Sequence, residues 1–225
     1  MCGRYSQTKI EEKELTERFK LKKLPSKREA QYNIAPQQNV QAVLNATPDE
    51  LSLVRWGLVP IWAKEINTRF SMINARAESL TEKPAYRGLI KRKRCLVIAD
   101  SFYEWKKMDG KKQPFRIMLK DEGLFAFAGL WDHWERDGHE ITSCTIITTM
   151  PNDLMKDIHE RMPVILHRQD EALWLSDCRL EEALGMLRPY PSPKLKAYPI
   201  SLLVNAPAHN VPQVTEPLEG KQELF

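Results

Sequence analysis

Between residues 95 and 148 the chain is a succession of short apolar runs punctuated by turn signals, and no other feature restricts its fold as strongly. Residues 95–99, 102–106, 114–119, 125–130 and 141–148 each carry the apolar and β-branched content of a strand. Met108-Asp109-Gly110 and Arg136-Asp137-Gly138 supply turns between them. Upstream, residues 40–44 and 51–56 flank Thr47-Pro48-Asp49 and read as a hairpin of two further strands. Helical spacing is confined to the flanks. Leu15 and Phe19, four apart among charges, predict a short surface helix over 11–20, and the basic stretch 21–28 with Pro25 reads as a loop. Thr149 as cap and Pro151 as opening residue predict a helix running to about residue 159. Two more short helices are expected over 170–177 and 180–187, ahead of a proline-rich segment over 189–199. The pattern predicts one α+β domain over residues 2–215 and a flexible tail over 216–225.

Several function classes drop out early. The apolar stretch 124–131 falls far short of the roughly 20 residues that span a bilayer, so no membrane association is expected. The amino-terminal run reaches Lys9, Glu11, Glu12 and Lys13 without the apolar core of a signal peptide, which points to the cytoplasm. There Cys2, Cys95, Cys144 and Cys178 stay reduced. They form no C-x-x-C pair, and the histidine and cysteine spacings ask for neither a metal nor a cofactor. Cys95, Cys144 and Cys178 read as small buried hydrophobes. With 34 Lys+Arg against 30 Asp+Glu the net charge is +4, which neither announces nucleic-acid binding nor opposes it.

Cys2 follows Met1 directly, and removal of the initiator methionine would make it the first residue. A first-position cysteine carries a thiol of pKa about 8.5 beside an α-amine of about 7.7–8.0 on adjacent carbons. This 1,2-aminothiol captures aldehydes in two steps: the amine forms a Schiff base, and the sulfur closes a thiazolidine ring. An internal cysteine cannot do this. The plain alternative is a small residue at a disordered terminus, but Gly3-Arg4-Tyr5-Ser6 has the look of a strand start.

Seven segments occur in the order found in one family: Met1-Cys2-Gly3-Arg4-Tyr5; Tyr32-Asn33-Ile34-Ala35-Pro36; Trp56-Gly57-Leu58-Val59-Pro60 with Trp62; Asn74-Ala75-Arg76-Ala77-Glu78; Arg94-Cys95-Leu96 through Phe102-Tyr103-Glu104-Trp105; Ala128-Gly129-Leu130-Trp131; and His159-Glu160-Arg161-Met162-Pro163. From residue 2 to about 205 the chain resembles the SOS-response-associated peptidase (SRAP) family. Two small departures are Ser101, where a glycine is usual, and Thr149-Met150-Pro151-Asn152 in place of a more alanine-rich stretch.

The resemblance implies an α+β domain around a strongly curved, barrel-like antiparallel sheet with short flanking helices. It implies a monomeric sensor of abasic sites in single-stranded DNA that removes its own Met1 and links Cys2 to the open-chain aldehyde of the baseless sugar. Glu104 would shuttle protons at the Cys2 amine; an apolar setting between Tyr103 and Trp105 suits this by raising its pKa. His159, at the end of the expected helix and so favoured as imidazolium, would protonate the sugar ring oxygen. Asn74 would hold the amine or a sugar hydroxyl. Arg4, Arg76 and Arg161 would contact DNA phosphates, while Pro36, Trp56, Pro60 and Trp62 would form a wedge and stacking platform for the bases beside the lesion. The run Lys91-Arg92-Lys93-Arg94 reads as a solvated face open to phosphate. The competing expectations are a cysteine peptidase acting on other proteins and a non-covalent single-strand binder.

Overall fold

The protein is described here by a computed structural model covering residues 2–66, 72–108 and 110–218. The strands are β1 (Tyr5–Gln7), β2 (Gln31–Ile34), β3 (Asn39–Leu44), β4 (Leu51–Trp56), β5 (Asn74–Arg76), β6 (Arg94–Ala99), β7 (Ser101–Met108), β8 (Lys111–Leu119), β9 (Phe125–Arg136), β10 (His139–Thr149), β11 (Met162–Pro163) and β12 (Leu195–Pro199). Five of them form an antiparallel sheet in the order β12-β8-β7-β1-β2. In the second sheet β10-β4-β3-β6-β9 returns to β10, closing a five-stranded barrel. The closing seam between β4 and β10 is parallel, whereas the other barrel pairs are antiparallel.

Side chains alternate along the barrel strands and divide them into two faces. On one, Val97, Phe125, Phe127, Trp56 and Ile146 pack with Tyr5, Phe102 and Ile117 of the five-stranded sheet. The other carries Val43, Ile98, Ala126 and Leu130 under the short helices α1 (Glu12–Phe19), α4 (Glu171–Leu175) and α5 (Leu180–Gly185), α2 (Leu89–Arg92) and α3 (Asp153–Lys156) lying between α1 and α4 in the sequence. Leu15 and Phe19 are the buried side of α1, as their spacing predicts.

Several expectations change. The β9–β10 hairpin runs well past the apolar residues to a turn at Asp137 and Gly138, whose φ of 51° and 75° fit the mirror-image turn favoured between twisted strands. Thr149 is the last residue of β10 and not a cap; Asn152 caps α3, its Oδ1 accepting from Met155 N at 2.9 Å. The proline-rich segment contains β12, an edge strand on β8. At the expected tail, Leu218 N donates to Pro199 O at 2.9 Å, and residues 219–225 lie outside the described residues, as does Asp109 of its expected turn. Arg94 is buried and donates to the carbonyls of Ile90, Lys91, Trp174 and Ser176, while Lys93 pairs with Asp132 at 2.7 Å. Half of the basic run is therefore structural. Cys95 and Cys144 are buried, but Cys178 is only partly so. Among the described residues no helix is long and apolar enough to cross a membrane.

Candidate active site

Strand pairing delivers the chain start to Glu104. Tyr5 of β1 pairs with Phe102 of β7, so two more steps of antiparallel register set residue 3 opposite Glu104, and Tyr103 N donates to Arg4 O at 3.0 Å. The far end of β1 is held by Asp100. This buried carboxylate accepts from Ser6 Oγ, from Thr8 Oγ1 at 2.7 Å and from the Thr8 amide, with an Arg116 nitrogen 3.8 Å away. Ser101 adds its hydroxyl to this network, touching Ser6 Oγ and accepting from Arg116 Nε at 2.8 Å.

Cys2 is fully buried in the apolar cluster between the two sheets. Burial, and then the charge of Glu104, pushes its thiol far above the ordinary range, so the sulfur is protonated at neutral pH. Asn74, on β5 beside β10, donates Nδ2 to Cys2 O at 2.7 Å, and its buried Oδ1 has no hydrogen-bond partner among the described residues. Glu104 is 3% exposed. Burial pushes its carboxyl up to about 7, against the pull of the positive amino terminus.

His159 Nε2 stands 3.9 Å from Glu104 Oε2. The expectation of an imidazolium at a helix terminus is overturned, because α3 stops at Lys156 and has only four residues. Burial and the positive amino terminus instead push the His159 pKa down. Its Nδ1 accepts from Arg161 N at 3.0 Å, which assigns the proton of the neutral ring to Nε2, on the side of Glu104. Arg161 is fixed in turn by a two-pronged pair with Glu78 at 2.8 and 2.9 Å and by Thr148 O at 2.7 Å. A carboxyl titrating near neutrality, a neutral imidazole donor, an amide acceptor and a thiol thus converge on the chain start. No cluster of three or more metal-ligating side chains occurs among the described residues.

The family model for SOS response associated peptidase (SRAP) matches residues 1–207. The chain belongs to the SRAP family. It is 44% identical over 223 residues to the abasic site processing protein YoqW of Bacillus subtilis, covering 96% of this chain and 99% of that one. YoaM, an abasic site processing protein of the same organism, is 46% identical over 217 residues, with 93% and 95% covered. A crystal structure of a protein from Bacteroides thetaiotaomicron superposes with a TM-score of 0.88 at 29% identity, covering 96% of this chain and all of that one.

The other expected residues of the SRAP site separate into two groups. Trp62 is 66% exposed and adjoins exposed Ile61 on a loop pinned from below: Val59 N donates to Ser143 Oγ at 2.8 Å, Ile61 N to Asp132 Oδ2 at 2.8 Å, and Trp134 Nε1 to Ala63 O at 2.8 Å. The loop leaves β4 through Gly57 at φ 130°, a conformation that L side chains rarely adopt. Arg76 is exposed at the end of β5, and Pro36 is half-buried. In the second group, Trp56 and Pro60 are corrected from stacking residues to core residues. Trp56 is 0% exposed, edge-on to Tyr5 at 5.2 Å, and its Nε1 donates to Ile73 O at 3.0 Å, which steadies the residue before Asn74. Pro60 is buried as well. Arg161 is buried with its fork on Glu78, so its place is behind His159, and a phosphate would have to displace a carboxylate to reach it. Arg4 is half-buried, and its Nη1 already donates to Asn33 Oδ1 at 2.8 Å and Val204 O at 2.6 Å. Sequence reasoning missed Glu78, Asp100, Asp132 and Ser143. For Asp132 and Ser143 the available signal was a polar residue inside an otherwise apolar strand, and for Asp100 one between two such strands, since burial obliges such groups to hold a partner; nothing in the sequence marked Glu78.

Proposed function

We propose that this SRAP chain processes abasic sites in single-stranded DNA by a covalent route through Cys2, after water has been added across the Met1–Cys2 amide to release methionine. The convergence of Glu104, Asn74 and His159 on the chain start carries the proposal. A carboxyl with a pKa of about 7 is present in both forms at neutral pH, so Glu104 can take a proton from water and give it to the departing amine.

The same group serves the aldehyde reaction. His159 Nε2–H hydrogen-bonds the ring oxygen of the baseless sugar as the hemiacetal opens, while Glu104 takes the C1 hydroxyl proton and returns it to the freed ring oxygen. The Cys2 amine adds to the aldehyde carbon, and Glu104 carries both amine protons to the former carbonyl oxygen, which leaves as water and yields the imine. Sulfur then adds to the imine carbon while the thiol proton passes to nitrogen. One C–N and one C–S bond form and one water departs. The high thiol pKa makes the amine the first nucleophile, and it counts against the cysteine-peptidase reading, which needs a thiolate of lowered pKa. Asn74 Oδ1 accepts from the amine or a sugar hydroxyl. Arg4 and Arg76 meet phosphates, and Trp62 with Ile61 and Pro36 stacks against the flanking bases.

Intact-mass spectrometry tests the reading. Native protein should lose the mass of one methionine residue, then gain one abasic strand less one water on incubation with the oligonucleotide. Cys2→Ala should give no such adduct. No adduct with the native protein, or an unchanged one with Cys2→Ala, overturns the proposal. Equal binding of intact and abasic strands without a mass gain would identify the non-covalent binder instead.

A further inference from the structure

β7 does not end at the catalytic glutamate. The hairpin continues as a two-stranded ribbon in which Trp105 faces Pro114, Lys106 faces Gln113, Lys107 faces Lys112 and Met108 faces Lys111. Its outer part therefore carries four lysines, of which Lys107, Lys111 and Lys112 are exposed and Lys106 half-buried. Lys107 and Lys112 are directly opposite each other, an arrangement that repels. None of the four forms an ion pair among the described residues. Elsewhere Lys22, Lys23, Lys27, Lys93, Lys156 and Lys196 each lie 2.6–3.1 Å from a carboxylate oxygen. The ribbon thus gathers four lysines, without a carboxylate partner among the described residues, into one short hairpin.

The ribbon is also connected to the site. Side chains alternate along a strand, so Lys106 shares the face of Glu104 and stands about 7 Å farther along. A cleft lined by Lys106, Lys107 and Trp105 on one wall and by Lys156, Ile158 and His159 on the other leads outward from the site, with Asp157 and Glu160 as its acidic members. An occupant of this cleft touches both the imidazole of His159 and Lys106 and Lys107 of β7.

We propose that the β7–β8 ribbon is a clamp for the sugar-phosphate backbone of the single strand flanking the lesion, with Lys106 and Lys111 reaching phosphates from the face of Glu104 and Lys107 and Lys112 from the opposite face. This rests on the abasic-site reading above. Lysines are point charges that hold phosphates without reading base edges, as a sensor of a lesion in any sequence requires. Because the ribbon projects from one side of Glu104, it grips the strand on one side of the lesion only.

The experiment compares crosslinking rates for an abasic trinucleotide and for longer oligonucleotides extended on only the 5′ or only the 3′ side. Native protein and a variant combining Lys106→Ala, Lys107→Ala, Lys111→Ala and Lys112→Ala are each measured at low and moderate salt. Native protein should favour one of the two extensions, and the preference should weaken as salt rises. In the variant the preferred extension should lose about tenfold, and the slope of log rate against log salt should flatten by about 2–3, since each phosphate contact on a single strand contributes roughly 0.7. Thermal unfolding of the variant at or above the native temperature shows that the loss is one of binding, because the substitutions remove repelling charges. A variant that keeps both the preference and the salt slope overturns the clamp, as does native protein indifferent to both extensions. Native protein that crosslinks none of the abasic strands overturns the abasic-site reading itself.

Discussion

Glu104 is ordinarily the kind of side chain that ionises well below neutrality, yet burial at the amino-terminal end of β1 lifts it from 4.5 to about 7. The folded protein therefore binds a proton between those values that the unfolded chain has released. Stability contributed by the neutral carboxyl is full below about 4.5 and is lost as pH rises through about 7. Glu104→Gln, which keeps the shape and removes the titration, should unfold at a higher temperature than native protein at pH 8 and at a similar one near pH 5, a difference of about 1–3 kcal/mol between the two conditions. Thermal melts across that range check it. The same variant should lose adduct formation by roughly 100-fold or more, the usual scale of general acid–base catalysis, and the native rate change near pH 7 should vanish from its profile. Much of this was legible in the sequence, because Tyr103 and Trp105 announce an apolar setting for Glu104. The state of His159 was not. It depends on where α3 stops and on the Arg161 amide that claims Nδ1, and neither follows from the spacing of residues 151–159.

At the scale of elements, the site is a matter of how a three-residue strand is held. β1 lies between β7 and β2, and Asp100 gathers Ser6 and Thr8 at its far end. Asp100→Ala leaves those hydroxyls, the Thr8 amide and the nearby Arg116 without their acceptor, so a cost of about 3–5 kcal/mol is expected, in the range for breaking a buried charged network. Denaturant melts measure this. Crosslinking by the surviving folded fraction should also slow, since Cys2 reaches Glu104 only through β1 register. Long alternating elements such as the hairpin of β3 and β4 were readable from residues 40–44 and 51–56 almost to the residue. β5 and β12 were not, because a three-residue strand has no period to detect and Pro199 disguises an edge strand. Thr149 and Asn152 are both good caps by type. Pairing of β10 with β11 took Thr149 into the sheet and left the cap to Asn152.

For the whole molecule the decisive event is closure of the barrel, which joins β4 and β10 in parallel across about 90 residues of sequence. Local patterns predict the individual strands and their antiparallel neighbours, but nothing in them marks a parallel seam between segments so distant. Closure also needs a close approach at Gly129, where β9 is flanked by Cys95 of β6 and Ile146 of β10. A Cβ at Gly129 would lie 2.7 Å from Cys95 Sγ, 3.1 Å from Thr145 O and 3.2 Å from Val97 Cγ2. Gly129→Ala should accordingly destabilise the fold by about 1–3 kcal/mol, the range for overpacking a filled core, or roughly 2–4 °C of melting temperature per kcal/mol at this size. The sulfur is the nearest obstacle, so adding Cys95→Ala should restore part of the loss. The Thr145 carbonyl, being backbone, keeps the recovery incomplete. Melting temperatures of the native protein, both single variants and the double variant form the cycle. Losses that simply add would mean that the clash at Cys95 is not the cause, whereas partial recovery ties the glycine to the closeness of β6 and β9. The near neighbours of a Cβ at Gly129 are Cys95, Thr145 and Val97 and do not include Glu104, so the pH dependence of crosslinking should stay centred near pH 7 in Gly129→Ala even as its melting temperature falls.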